Sequence, residues 1–180
     1  MLLQRVITAV VLLIIIIGAL LISPLVFTAV AAIAIGCCFW EWLRICKWNN
    51  GVAMVCGVVL GASLFFLEYA SPAALQTVQS GNGLMIITAT ATVLWAVITA
   101  VIFTRRTSGW RVPQGIGALL GWIFVPAAWF SLMYLFREKG TIYMLSVLAI
   151  VWVADIMAYF GGRCFGGPKM AQGISPKKTW

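Results

Sequence analysis

The sequence predicts an all-α, polytopic integral membrane protein with about six transmembrane helices and a cytoplasmic N-terminus. Three observations predict it. Apolar residues make up 63% of the 180 and charged residues only 9%, a balance outside the range of soluble domains. The apolar residues gather into six long runs separated by short polar stretches. With the N-terminus inside, Arg5, Arg44, Lys47, Arg105, Arg106, Arg111, Arg163, Lys169, Lys177 and Lys178 all fall on the cytoplasmic side, and only Arg137 and Lys139 fall outside. Ten against two favours this orientation over its inverse. The net charge of +8 therefore reads as a topology signal, not as a nucleic-acid surface.

The first span lies near 6–22, just after Arg5. It amounts to about 25 Å of helix, at the short end for a crossing. A cleaved signal peptide is the competing reading, but this core exceeds the usual length and a second apolar run follows at once. Ser23-Pro24 reads as a tight turn. The second span, near 25–40, leads into a polar loop, Glu41 to Asn50, with Arg44 and Lys47. Trp40, Trp42 and Trp48 cluster there and are expected to anchor at the membrane interface.

The third span, near 52–67, carries Gly57, Gly61, Ala62 and Ser63, small residues suited to close helix packing. Glu68 to Gly83 reads as a polar loop without Lys or Arg. The fourth span lies near 84–104. The fifth, near 115–136, holds Pro126, which predicts a kink of a kind that membrane helices tolerate. Arg137 to Thr141 is a short loop, and the sixth span lies near 142–160. Residues 161–180 remain as a cytoplasmic Gly/Lys-rich segment expected to bind substrate. No internal repeat and no soluble domain are evident.

Composition narrows the chemistry. His is absent, which excludes His metal ligands and His general bases. Cys37, Cys38, Cys46, Cys56 and Cys164 form no Cys-x-x-Cys pair, and buried, reduced thiols are expected. The acids are four, Glu41, Glu68, Glu138 and Asp155.

Asp155 lies inside the sixth apolar run, where an ionised carboxylate is expensive unless it faces protein or water. That makes it a functional candidate; the alternative is a structural contact to a Ser, Thr or Trp of a neighbouring helix. Helical spacing puts Trp152, Asp155, Tyr159 and Gly162 on one face. The tail adds Gly161, Gly162, Gly166, Gly167 and Gly173, which let backbone approach a ligand closely, and the cations Arg163, Lys169, Lys177 and Lys178. Ser175-Pro176 is a helix-start signal, with serine as N-cap and proline at the first helical position. A helix N-terminus beside paired lysines suits phosphate. A basic loop that only touches anionic headgroups is the competing reading. No Walker loop occurs.

These residues also carry a resemblance. Asp155-x-x-Ala158-Tyr159-Phe160-x-Gly162-Arg163-x-Phe165-Gly166, followed by Ser175-Pro176-Lys177-Lys178-Thr179, resembles the mid-chain region of bacterial phosphatidate cytidylyltransferases, or CDP-diacylglycerol synthases. The motif covers roughly 25 residues. Gly167 stands where relatives often carry a basic residue. The resemblance implies a multi-pass enzyme of the bacterial inner membrane that joins CTP to phosphatidic acid and releases pyrophosphate, using a divalent metal such as Mg2+. The family's strongest signature lies further towards the C-terminus and is absent, so the main metal-binding carboxylates are expected beyond residue 180.

The role expectations follow. Lys177 and Lys178 contact substrate phosphates. Ser175 is expected to cap the helix and to touch phosphate or metal, and Thr179 to support the same phosphate-binding turn. Arg163 and Lys169 draw the lipid headgroup or CTP, and Asp155 orients the basic tail or helps ligate metal. Glu68 and Glu138 are expected on the wrong side of the membrane. A metal site then has too few acids, and the chain reads as part of an active site, an incomplete form expected to be inactive alone. A homodimer is compatible. Two other classes compete: a lipid kinase-like transferase acting on a polyisoprenoid, and a transporter or non-catalytic membrane protein. The latter would favour inverted repeats.

Overall fold

A computed structural model describes residues 2–70, 82–105 and 113–164. All of its elements are helices: α1 (Leu2–Ile22), α2 (Pro24–Ile45), α3 (Asn50–Ala70), α4 (Asn82–Arg105), α5 (Gln114–Tyr134), a π-helical turn (Leu135–Lys139) and α6 (Thr141–Cys164). Five of these stretches are long and apolar enough to cross a membrane, and α1 contributes a shorter apolar helix, Ile7–Ile22. The chain is a polytopic membrane protein.

Each boundary has a local cause. A single residue, Ser23, separates α1 from α2. Its backbone is extended, its hydroxyl accepts from the Val26 N–H at 3.2 Å, and Pro24 takes the first helical position. Thr28 inside the first turn donates to the Pro24 carbonyl at 2.9 Å. At its other end α2 closes in a Schellman turn. Trp48 N–H bonds the Leu43 carbonyl at 3.1 Å and Lys47 N–H bonds that of Arg44 at 2.9 Å. Lys47 sits at φ 65°, the left-handed position such a turn requires. Asn49 then opens α3, accepting from Gly51 N–H at 2.9 Å.

The core is formed by α2, α3 and α5. Phe39, Leu43, Trp129, Met133 and Met144 are almost wholly buried. Aromatic contacts stitch the helices together: Phe27 meets Phe136 at 4.5 Å, Phe39 meets Trp122 edge-on at 4.9 Å, and Trp95 of α4 stacks on Phe124 at 4.9 Å. The closest approach lies between α2 and α3. A Cβ at Gly57 would stand 2.6 Å from the Gly36 carbonyl oxygen, and one at Gly61 2.7 Å from the Ala32 carbonyl oxygen. The helices meet backbone to backbone because Gly57-x-x-x-Gly61 faces Ala32-x-x-x-Gly36, the small-residue pattern of membrane helix pairs. Gly57 and Gly61 do the packing expected of them, whereas Ala62 and Ser63 stay exposed, Ala62 at the edge of the α2/α3 crossing.

Several expectations need correction. The polar loop expected from Glu41 is the last turn of α2. Phe39 and Leu43 are buried four apart while Glu41 and Arg44 stay exposed, so the charges fit the helix period instead of ending it. Glu68 is not in a loop. It is 2% exposed within α3 and forms an ion pair with Arg137, Nη2 to Oε1 at 2.6 Å. Its second oxygen, Oε2, is buried without a partner among the described residues. The pairing places Glu68 and Arg137 at the same end of the bundle, as the sequence expects.

The expected loop at 137–141 is tighter than predicted. The π-turn runs to Lys139 and Gly140 alone, at φ 85°, breaks the path. Pro126 lies inside a continuous α5. The free thiols are as expected, but none is buried: Cys37, Cys38 and Cys164 are exposed and Cys46 and Cys56 intermediate. In a membrane helix, lipid solvates a thiol as well as protein does, so an apolar neighbourhood in sequence does not entail burial in protein.

Candidate functional site

The site residues expected from the sequence begin on α6. This helix packs through its first turn, where Met144 is fully buried and Leu145 joins the core, and is otherwise little covered. Asp155 is exposed on it. Trp152 and Gly162, expected on the same face, are half-buried. Of Tyr159 and Arg163 only the helical backbone is described. The boundary at residue 160 shifts: α6 continues through Gly161 and Gly162 to Cys164, so Arg163 stands on the helix two turns beyond Asp155. No ion pair joins Asp155 to a cation among the described residues. Lys169, Ser175, Lys177, Lys178 and Thr179 lie outside the described residues.

The Ser-Pro signal has an internal precedent. At Ser23-Pro24 it starts a helix with a side-chain cap. Ser175-Pro176 repeats those residue types, with lysines at the next two positions, where a helix would present free N–H groups.

The opposite end of α5 explains how a rigid platform is built. Trp42 donates its indole N–H to the Gly117 carbonyl at 2.8 Å and lies so close over Gly121 that a Cβ there would stand 2.5 Å from its ring. Gln114 donates to the Lys47 carbonyl at 3.3 Å, and Trp40 donates to Asn50 at 3.2 Å. Of the three tryptophans expected at the membrane interface, Trp40 and Trp42 join α2 to α3 and α5, a role for which a single sequence holds no signal. α5 crosses away from this platform and α6 crosses back, so a spanning α6 delivers Arg163 to the same end.

Metal chemistry finds little support in these residues. No group of three acids or cysteines able to hold a metal occurs among the described residues. Asp155 is the sole carboxylate of α6, and the tail contains none. The residues present do not fit a divalent metal centre by themselves.

Comparison with known proteins decides the family. Residues 3–180 match the cytidylyltransferase family. The chain belongs to it. A phosphatidate cytidylyltransferase of Pseudomonas aeruginosa is 33% identical over 192 aligned positions, covering all of this chain and 64% of the relative. The Haemophilus influenzae protein of that name is 28% identical over 193 positions, again covering the whole chain and 67% of the relative. A third, from Brucella abortus, is 59% identical over 34 residues. This chain therefore spans about two thirds of the length of the Pseudomonas and Haemophilus relatives. No solved structure matches it.

Proposed function

We propose that the protein acts in transferring CMP from CTP to phosphatidic acid, giving CDP-diacylglycerol and pyrophosphate, in the inner membrane of a bacterium with the tail on the cytoplasmic side. The observation that carries this reading is similarity along the whole chain to proteins named phosphatidate cytidylyltransferase, within the cytidylyltransferase family.

In the proposed reaction a phosphate oxygen of the lipid attacks the α-phosphorus of CTP in line. The new P–O bond forms as the bond from the α-phosphorus to the bridging oxygen breaks, and pyrophosphate leaves with that electron pair. The protein's task is to neutralise charge and hold the two phosphates together. Lys177 and Lys178 hold the nucleotide phosphates, with Ser175 and Thr179 beside them in sequence as further phosphate contacts. Arg163, one end of α6, and Lys169 draw the lipid phosphate or CTP. Asp155 orients this basic segment. We further propose dependence on a divalent cation such as Mg2+. Its ligand set is not completed by this chain's carboxylates.

The test is a chimera in which residues 1–180 replace the corresponding part of the Pseudomonas relative, assayed in vesicles with labelled CTP and phosphatidic acid. Formation of CDP-lipid with one pyrophosphate per turnover supports the reading. A folded, membrane-inserted chimera without CTP-dependent turnover refutes it. Phosphorylated lipid with CDP as by-product would instead identify a lipid kinase.

A further inference from the structure

Beside the glycine crossing of α2 and α3 lies a groove of about 430 Å³. Ile33, Cys37 and Trp40 form its α2 wall and Met54 and Val58 its α3 wall, while Gly36 and Gly57 expose backbone at its floor. The groove follows α2 from Ala29 to Trp40, about 16 Å of helix. Its lining is carbon almost throughout, yet one end is closed by a polar lip. There the Arg44 guanidinium lies 5.5 Å over the Trp40 ring, and the Trp40 indole N–H is fixed by Asn50. Arg44 is exposed and has no ion-pair partner among the described residues, Glu41 one turn away included.

We propose that this groove is a binding site for one anionic phospholipid, with an acyl chain along the α2/α3 crossing and the phosphate on Arg44. Three features select that occupant. The groove lies between two helices that are long and apolar enough to cross a membrane, has the length and volume of a single alkyl chain, and ends where a cation is held by stacking and left without a carboxylate among the described residues. A transmembrane helix of a second copy would need a wider, longer seat, and the Trp40–Arg44 lip obstructs one end of it. The glycines have a second consequence here: by bringing the backbones together they make the trough narrow enough for one chain. The site is separate from the basic tail, and the proposal stands whether or not cytidylyl transfer is the reaction.

The experiment is native mass spectrometry of the full chain released from micelles containing equal amounts of dioleoylphosphatidylglycerol and dioleoylphosphatidylcholine. One retained phosphatidylglycerol per chain, in preference to phosphatidylcholine, is expected. Arg44→Gln should lower that preference about fivefold, the worth of one surface cation to an anionic lipid. Ala62→Phe, an exposed position on the groove wall, should reduce retention of both lipids. Far-UV circular dichroism verifies that each variant stays helical, and Val58→Phe replaces Ala62→Phe if the latter does not. Equal retention of the two lipids by the wild-type chain overturns the proposal, as does a preference that Arg44→Gln leaves unchanged. A dimer that excludes lipid and dissociates in Ala62→Phe would show that a second copy occupies the groove, and would also overturn it.

Discussion

Replacing Gly57 by alanine tests the packing of the whole bundle with one methyl group. The added Cβ would stand 2.6 Å from the Gly36 carbonyl oxygen and 2.9 Å from the Trp40 Cβ. Ordinary contact begins at 3.4 Å, so α2 and α3 must part by about 0.8 Å or bend. The obstacle is backbone, which cannot rotate away as a side-chain tip does. A gap of that size forfeits a quarter to a half of the dispersion attraction along the seam, and overpacking of this kind costs about 1–3 kcal/mol. Alanine's better helix propensity returns up to about 1 kcal/mol, leaving a net loss of up to about 2 kcal/mol. Gly18→Ala is the control, because nothing lies within 4 Å of its Cβ position. The assay is equilibrium unfolding in mixed micelles with increasing dodecyl sulfate, followed by far-UV circular dichroism. Gly57→Ala should shift the midpoint down and Gly18→Ala should not. The double variant Gly36→Ala/Gly57→Ala should lose less than the sum of its parts, since either methyl alone already separates the helices. A Gly57→Ala protein as stable as wild type would refute the reasoning, as would an equal loss at Gly18.

Four further outcomes are expected. Arg137→Gln leaves the Glu68 carboxylate buried and unpaired, and should destabilise by about 2–4 kcal/mol; adding Glu68→Gln should restore part of that loss in the same unfolding assay. Lys47→Gly relieves a side chain held at φ 65° and should stabilise by about 1 kcal/mol, seen as a higher midpoint with unchanged helix content. Partial burial pushes the Cys46 thiol pKa up. A raised pKa favours the protonated form, so in a variant retaining only Cys46 the maleimide labelling rate should lag that of an ordinary thiol at neutral pH and climb only as pH rises past the usual thiol range. Lys178→Ala in the chimera should cut CTP-dependent turnover strongly, and undiminished turnover would remove Lys178 from the proposed site.

The spans were legible in the sequence because lipid imposes one demand on every residue of a crossing. Six apolar runs therefore map onto six helices. Their ends were less legible. Glu41 and Arg44 ended a span on paper, yet Phe39 and Leu43 carry the helix on to Ile45, since two charges three apart sit easily on one exposed face. Glu68 looked like the start of a loop because its partner, Arg137, is remote in sequence, and a single chain holds no mark of such a pairing. One half of the glycine seam was visible as Gly57 and Gly61. Its other half was written as Ala32-x-x-x-Gly36, the same spacing, and could have been read. The motif on Asp155 to Thr179 could be read from sequence alone, and its residues from 165 onward lie outside the described residues; the tryptophan joints depend on contacts as distant as Trp42 with Gly117.

The pairing of Glu68 with Arg137 also orders events during synthesis. Glu68 leaves the ribosome 69 residues ahead of its partner (137 − 68). At about 5–20 residues per second that is a delay of roughly 3–14 s. Through that interval its carboxylate lacks the guanidinium it meets in the folded chain, and burying a lone charge is costly. The pair therefore ties the end of α3 to a segment made much later: Glu68 cannot be buried beside its partner until α5 and the turn after it exist.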